Sequence, residues 1–383
     1  MSTMLLHHAD LLTRHGRYVE GWLLIEEGRI ADLGQGKPPA IAGQSLDLQG
    51  RLLAPGLLDL HAHGALGYDT MDATPEALRR MAHFYASHGV TAFLATTMTA
   101  PGEQILAALR TIAQVMAAGT GGAALLGAHV EGPYLDVERR GCQDPSQVRC
   151  ASADEYPQFF ETGVVRLITV APEYGENEPL LRYAVERGAV VAIGHSRVSY
   201  EGVCRAVDLG ATMVTHLFNG MEPLHHRAPG LVGAALTLEP LYCQLIADNV
   251  HIHPAGLALA VRAKGPERIV LVTDAMSATG MADGDYLLGN IAVTVREGVS
   301  RTPDGVLAGS TLTMERAVIN ITAATGLSFG SAWVMGSATP AEALGLADRK
   351  GAIAVGMDAD LVALDAAGAV HLTLVGGEIV FQI

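Results

Sequence analysis

The sequence has few cysteines, few positive charges and no long hydrophobic run, and each shortage excludes a class of protein. Its four cysteines fall in no CxxC or zinc-finger spacing, so we predict reduced thiols instead of a disulfide framework. Acidic residues outnumber basic ones by 40 to 25, which gives a formal net charge of -15. A chain of that charge repels nucleic acids and anionic membranes, so neither is an expected partner.

No apolar stretch reaches membrane-spanning length, and the first residues lack the basic and apolar regions of a signal peptide. Hydrophobic residues make up 49% of the chain and charged residues 17%, a composition typical of a well-buried globular enzyme. We therefore expect a soluble, cytoplasmic protein. The length of 383 residues allows two or three domains at about 150 residues each.

From Thr91 to Asp274 the chain alternates apolar runs with amphipathic helical stretches, which indicates βαβ units and a parallel sheet. Thr74 and Pro75 mark one helix start, and Gly89 follows the end of that helix. We predict an α/β fold, a (β/α)8 TIM-type barrel. Its eight candidate strands are LLDL near Leu57, TAFLATT, ALLGAHVE, VRLITVAP, AVVAIGH, TMVTH, QLIAD and RIVLVTD.

The two ends of the chain have a different pattern from the middle. GWLLIEEGRIADLG near the start, and ADLVALDAAG and LTLVGGEIVF near the end, are hairpin-like β segments without intervening helices. We predict that residues 1–53 and 351–383 together form a small β-sandwich domain. Residues 54–350 are then expected to form the barrel.

Residues able to bind a metal follow five of the predicted strands. Because the carboxyl ends of barrel strands share one rim, these side chains are expected to converge there. His61 and His63 lie two residues apart on a strand and therefore on the same face. Imidazole and carboxylate ligands suit zinc, iron, manganese or cobalt, in one or two ions, with zinc favoured. The predicted ligands are His61, His63, Glu131, His195, His216 and Asp274.

Each of these residues alone also has an ordinary interpretation. A single His-x-His pair is more often incidental than a ligand pair, and one histidine at a strand end is similar. The coincidence of five positions at five strand ends favours a metallohydrolase site. His129 faces the same way as Glu131 but one layer deeper, so we expect it to support the site or the core.

Asp274 is the predicted catalytic acid and base. A carboxylate beside a metal can take a proton from the attacking water and return it to the leaving group. Its TDAMSATG context also suits a helix N-cap after a strand, and the two roles are compatible.

Eight ordered motifs resemble the N-acetylglucosamine-6-phosphate deacetylases of the amidohydrolase superfamily, nearly from end to end. They are PGLLDLHAHG, GAHVEGPYL, IGHS, THLFNGM, HHRAPGLVGA, IADNVHIHP, LVTDAM and LAGSTLTM. The resemblance implies hydrolysis of the acetamide of an amino-sugar 6-phosphate. It places Glu131, His195 and His216 on the principal metal ligands, and His61 and His63 on the extra ligands of members that hold two ions.

The same resemblance implies contacts with the sugar phosphate. Arg227 is similar to an arginine that reaches the phosphate from the neighbouring subunit, which implies a homodimer. Guanidinium geometry suits phosphate, although the HHR segment is also typical of an exposed loop. The implied substrate-binding residues are Gln143, Asn219, Gly220, Arg227, His251, Leu307 and Gly309.

One departure from the family pattern concerns the substrate. Gln143 stands where the family has a histidine that contacts the substrate, and glutamine cannot carry charge. The galactosamine epimer is therefore an alternative substrate. Two further alternatives are an amidohydrolase acting on another N-acyl or cyclic amide, and a catalytically silent sugar-phosphate sensor.

Overall fold

A computed structural model describes residues 3–13 and 16–383. Eight parallel strands form a nearly closed barrel, which confirms the predicted fold class. Each predicted apolar run supplies one strand, and neighbours along the chain are neighbours in the sheet. In chain order the barrel strands are Leu57–Ala62, Val90–Thr97, Ala124–Glu131, Val165–Val170, Val190–Ile193, Ala211–Val214, Tyr242–Ile246 and Ile269–Val272.

Helices cover the outside of the barrel, so its strands are buried on both faces; every residue of Val90–Thr97 is buried. The Thr74 hydroxyl caps the first helix by accepting a hydrogen bond from Ala77 N, as predicted. In the described residues, no helix combines the length and apolarity needed to cross a membrane. The α-helices are Pro75–Ser87, Gly102–Ala118, Tyr156–Glu161, Glu178–Glu186, Tyr200–Asp208, Gly230–Thr237, Pro254–Lys264, Met314–Thr325, Phe329–Val334 and Ala338–Ala343. Short 3-10 helices span Thr70–Asp72, Gly175–Asn177 and Pro266–Arg268.

The seam between the first and eighth barrel strands differs from the other strand pairs. At the base, the turn at 335–336 inserts between them: Leu58 N donates to the Gly336 carbonyl and Leu271 N to the Met335 carbonyl, both at 2.8 Å. At the rim the two strands meet, and Asp274 N donates to His61 O at 2.8 Å. The barrel is therefore split at its base and closed at its rim.

A seven-stranded sheet built from both chain ends lies beside the barrel and has its own apolar core. Its strand Gln44–Pro55 runs through Gly56 directly into the first barrel strand. A side chain at Gly56 would overlap the Thr91 side chain, because a Cβ atom there would lie 2.0 Å from Thr91 Oγ1. The strands of this sheet are Thr3–Thr13, Gly16–Glu26, Arg29–Gln35, Gln44–Pro55, Leu361–Leu364, Val370–Val375 and Glu378–Gln382.

A three-stranded antiparallel sheet follows the eighth barrel strand, inside the region that we predicted as barrel alone. Its strands are Gly284–Leu288, Ile291–Arg296 and Val299–Arg301. Leu288, Val293 and Val295 pack with Met98 and Met276 in a separate apolar cluster. A two-stranded ribbon, Gly64–Ala65 with Tyr68–Asp69, follows the first barrel strand. These insertions place apolar side chains beside the rim that carries the predicted ligands.

Candidate functional site

The six predicted ligands converge at the rim of the barrel in two groups. One group, which we call the seam group, consists of His61, His63 and Asp274 from the first and eighth strands. The other, the ladder group, consists of Glu131, His195 and His216, which follow the third, fifth and sixth strands. In each group, all three candidate ligand atoms lie within 4.8 Å of one another, and all six side chains are buried.

The Glu131 carboxylate connects the two groups. Its Oε1 atom lies 3.2 Å from both His195 Nε2 and His216 Nε2, and 3.4 Å from His61 Nε2. Its Oε2 atom lies 3.4 Å from His63 Nε2. Oε1 thus faces the ladder histidines and His61, and Oε2 faces His63 of the seam group. This is the arrangement expected of a carboxylate that bridges two neighbouring ions.

The Nδ1 atoms of two histidines, which point away from the cluster, make hydrogen bonds that show whether the cluster suits a metal. Nδ1 of His195 lies 2.8 Å from the Arg139 carbonyl oxygen, and Nδ1 of His61 lies 3.1 Å from Gln244 Oε1. Both partners only accept, so each Nδ1 must carry a proton, and in the neutral form of each ring the Nε2 lone pair points inward. Those lone pairs face Glu131 oxygens, which are acceptors too. A cation between them satisfies every group, so the donor set fits a divalent metal.

The electrostatics of the cluster favour the same conclusion. Burial raises the pKa of Asp274, but the charges of His61 and His63 outweigh that effect and lower it to about 2. Burial lowers the pKa of His63, whereas hydrogen bonds to Asp274 and Glu131 raise it to about 10. The carboxylates therefore hold positive charge on buried imidazoles. A divalent cation can displace those protons and supply the same charge.

Three of the ligand residues have a backbone conformation that L-amino acids rarely adopt. The φ angles are 48° at His195, 29° at His216 and 51° at Asp274, and each residue lies just beyond a barrel strand. A left-handed conformation costs a residue with a side chain about 1–2 kcal/mol, and such strain clusters at functional sites. In the described chain no helix begins at Asp274, so its carboxylate is not a helix cap.

A cavity of about 210 Å³ opens over the two groups. Of the thirteen residues predicted for the site, eleven line this cavity, and His61 and Arg227 do not. Arg227 is exposed, does not line this cavity and contacts His226 at 2.8 Å. The predicted residues on its wall are His63, Glu131, Gln143, His195, His216, Asn219, Gly220, His251, Asp274, Leu307 and Gly309. Sequence reasoning missed Met98, Gly141, Cys142, Leu288 and Val306.

A larger cavity, of about 1140 Å³, lies between the terminal sheet and the base of the barrel. None of the six candidate ligands lines it. The convergent polar groups that orient a substrate are in the smaller cavity, so we assign the functional site there.

Gln143 has a fixed orientation in the smaller cavity. Its Oε1 accepts a hydrogen bond from Thr99 N at 2.8 Å, and its Nε2 donates to Glu131 Oε2 at 2.8 Å. Because a backbone N–H and a carboxylate sit on opposite sides of the amide, only this orientation satisfies both. Gln143 therefore holds the carboxylate that links the two groups, a contact that the sequence did not indicate.

His251 presents a polar atom to the same cavity. Asp248 accepts a hydrogen bond from His251 Nδ1 at 2.7 Å, which leaves Nε2 available to a ligand. Burial lowers the pKa of His251, but the hydrogen bond and charge of Asp248 outweigh burial and raise it above its usual value. The ring is thereby biased towards the cationic form, which would attract an anion.

His129 lies one layer below the ligands. Its Nε2 contacts the Thr169 hydroxyl at 2.7 Å, and its ring packs edge-on against His61 with centroids 4.5 Å apart. Burial lowers its pKa well below the usual value, so the ring is neutral. His129 therefore supports His61 from the barrel core and is not in either ligand group.

Comparison with known proteins agrees with this geometry. Residues 52–380 match the amidohydrolase family. The chain is 42% identical to N-acetylglucosamine-6-phosphate deacetylase of Vibrio furnissii over 332 residues, which are 86% of this chain and 83% of that protein. It is 39% identical to N-acetylgalactosamine-6-phosphate deacetylase of Escherichia coli O157:H7 over 350 residues, which are 90% of this chain and 92% of that protein.

Solved structures give the same result. A mutant N-acetyl-D-glucosamine-6-phosphate deacetylase of Mycobacterium smegmatis, in complex with N-acetyl-D-glucosamine-6-phosphate, superposes with a TM-score of 0.92 at 35% identity. The alignment covers 100% of both chains. The chain therefore belongs to the amidohydrolase family and, within it, to the group of N-acetylglucosamine-6-phosphate deacetylases.

Proposed function

We propose that this protein is a metal-dependent deacetylase that hydrolyses the acetamide of N-acetyl-D-glucosamine 6-phosphate. The products are D-glucosamine 6-phosphate and acetate, and the reaction belongs to amino-sugar breakdown. One observation carries the proposal: inward-facing imidazole lone pairs and the Glu131 carboxylate surround a common point beside Asp274, on the floor of a cavity. The relatives that share this sequence supply the substrate class.

The ligand residues would hold one or two divalent ions, with zinc favoured over iron, manganese or cobalt by the histidine-rich donor set. When bound, such an ion polarises a carbonyl group and makes water a stronger acid. Glu131, His195 and His216 would hold the first ion, and His61 and His63 would complete a second site with Glu131 and Asp274.

Asp274 would transfer the proton in this reaction. Its pKa of about 2 keeps the carboxylate ionised at neutral pH, ready to accept a proton from the attacking water. The water oxygen bonds to the acetamide carbon, and the carbon–nitrogen bond then breaks as Asp274 delivers the proton to the leaving nitrogen. Acetate and the free amine result. The carboxylate lies 3.2 Å from His63, which fixes its direction.

Several groups are available for the sugar phosphate. His251 offers an Nε2 atom on a ring biased towards the cation, and Asn219 and Gly220 line the same cavity wall. Arg227 is outside the cavity of its own chain, so it would serve a phosphate only in a neighbouring subunit. A homodimer that exchanges Arg227 is part of the proposal, as is location in the cytoplasm, where the four free cysteines stay reduced.

A specific observation supports N-acetylgalactosamine 6-phosphate as a second candidate substrate. One relative, 39% identical over 350 residues, is named for that epimer. Gln143 also bears on this choice: after donating to Glu131 its amide keeps a second N–H, which can donate to the substrate without adding charge.

An acetate-release assay tests the function. Purified protein is loaded with zinc and given N-acetylglucosamine 6-phosphate, N-acetylgalactosamine 6-phosphate or unphosphorylated N-acetylglucosamine. We expect turnover of the first, and loss of most activity without the phosphate. Preference for the second compound would establish the epimer. Equal activity on the unphosphorylated sugar would favour a different amidohydrolase, and no acetate from any compound would favour a binding protein.

A further inference from the structure

The seam of the barrel is closed midway by a buried side chain. Ladders of paired residues join the other neighbouring barrel strands, whereas in the described part of the chain a single bridge, Ala62 with Ala275, joins the eighth to the first. The turn at 335–336 takes the backbone donors at the base. Between base and rim, the two strands depend on another group to hold them together.

Asp59 is that group. It lies on the first barrel strand, two residues before His61, and is 0% exposed. Its Oδ1 accepts hydrogen bonds from His61 N at 3.2 Å and from Thr273 N at 3.3 Å. Its Oδ2 accepts one from the Thr273 hydroxyl at 2.5 Å. One carboxylate thus holds donors from both sides of the seam.

We infer that Asp59 is a positioning residue, which sets the seam group by fixing Thr273 and with it the direction of Asp274. This inference rests on the proposed function and adds to it a residue that touches neither substrate nor ion. Thr273 adjoins Asp274, whose left-handed backbone is held by its N–H bond to the His61 carbonyl. Asp59 therefore holds the backbone of a metal ligand on one strand and of the proton-transfer group on the other.

The chemistry of the position calls for a carboxylate. Three donors converge on it, and an ionised carboxylate only accepts, so all three are satisfied. An asparagine would keep one acceptor oxygen for the two backbone N–H groups, but would turn an amide N–H towards the Thr273 hydroxyl. That hydroxyl already accepts from Ala275 N at 3.1 Å, and its proton would be left with the weaker acceptor at His61 O, 3.5 Å away. The seam would have to shift.

The test uses Asp59→Asn and Thr273→Val in the full-length protein. Supporting groups around metal ligands typically contribute about 10- to 100-fold to activity or metal affinity. We expect kcat to fall by that factor in both variants, with KM for the phosphorylated substrate changed by less than about twofold. Cobalt bound per chain after dialysis should fall because the seam group weakens, while the ladder group keeps its ion.

Two matched controls separate positioning from loss of stability. Asp360→Asn changes a buried carboxylate that accepts a backbone N–H from Gly376, and Thr373→Val removes a buried hydroxyl bonded to the Ala86 carbonyl. Both lie outside the two ligand groups, so they should lower Tm without changing kcat or cobalt content. Thr273→Ser, which keeps the hydroxyl, should restore the activity that Thr273→Val loses.

The outcomes are distinct. Wild-type kcat and cobalt content in Asp59→Asn and Thr273→Val would overturn the inference, as would losses matched by the two controls. If Asp59→Asn does not fold, Thr273→Val carries the test, because it retains the carboxylate. Cobalt content is measured without substrate, so the positioning role can stand or fall even where the acetate assay rejects the proposed function.

Discussion

The two ligand groups occupy one rim but are held there by different means. His195 and His216 follow neighbouring strands joined by a parallel ladder that ends in the pair Ile193 and Val214, so backbone pairing fixes their separation. The strands of His61 and Asp274 are joined in the described chain by a single bridge, by the Asp59 carboxylate and by backbone bonds at the rim, such as Asp274 N to His61 O and His63 N to Ala275 O. The comparison teaches that a barrel rim is not uniform. Backbone strand pairing positions the ladder group, whereas side-chain hydrogen bonds across the seam help to position the seam group.

The largest expected effect comes from Asp274→Asn in the seam group. The variant keeps the shape of the side chain but cannot accept the proton, so we expect kcat to fall by about 10³-fold or more. Tm should change little, and the ladder group should keep its ion because its three ligands are intact, whereas the seam group should hold metal less tightly. The measurement is acetate release alongside metal analysis; activity near that of the wild type would remove Asp274 from proton transfer.

A pair of histidine substitutions compares the two groups directly. His216→Ala removes a ligand from the ladder group, and we expect loss of the tighter ion and of nearly all activity. His63→Ala removes one from the seam group, and we expect one ion to remain with reduced activity, because Glu131, His195 and His216 are intact. Metal content after dialysis shows which group has lost its ion in each variant. The reverse order of ion loss would contradict the comparison.

Arg227 belongs to neither ligand group, so Arg227→Ala should change substrate binding without changing metal binding. A lost hydrogen bond to a charged group costs about 1.5–3 kcal/mol, so KM for the phosphorylated sugar should rise about 10- to 100-fold. Metal content should stay at its wild-type value. Initial rates over a substrate series measure this effect, and an unchanged KM would exclude Arg227 from the phosphate site.

The smallest effects are expected from two glycines with left-handed backbones, one behind each group. A Cβ atom at Gly220 would lie 2.8 Å from His195 Nδ1, and one at Gly309 would lie 3.1 Å from the Asp274 carbonyl oxygen. Alanine at either site should lower the free energy of unfolding by about 1–2 kcal/mol. Gly220→Ala should also disturb the ladder group, and Gly309→Ala the seam group. Denaturant unfolding with metal analysis tests whether the two losses separate.

The sequence predicted the strands and the convergence of the candidate ligands at one rim because both have local signals. Eight apolar runs of the right length identify buried parallel strands, and a polar residue directly after such a run lies at the rim. The three-stranded sheet after Asp274 was missed because its segments, although helix-free like those at the chain ends, lie inside the range predicted as barrel. Chain position alone did not distinguish it from the barrel.

The side-chain contacts that hold the candidate ligands in place could not be predicted from the sequence, for a different reason. The contact between Gln143 and Glu131 joins residues 12 apart, and the contact between Asp59 and Thr273 joins residues 214 apart. Neither pair has a spacing that indicates contact, since the loop and the closure of the barrel bring them together. Arg227 is the opposite case. A family motif in the sequence identifies it, but in a single chain it does not line the cavity.

The continuous path from the strand Gln44–Pro55 through Gly56 into the first barrel strand has a consequence for dissection of the protein. Any shift of the terminal sheet along that path is transmitted to the register of His61 and His63, and Trp333 reinforces it by donating to the Pro55 carbonyl at 2.8 Å. A barrel excised without its flanking sheet would release the upstream anchor of two ligands. The minimal catalytic fragment is therefore expected to need both ends of the polypeptide.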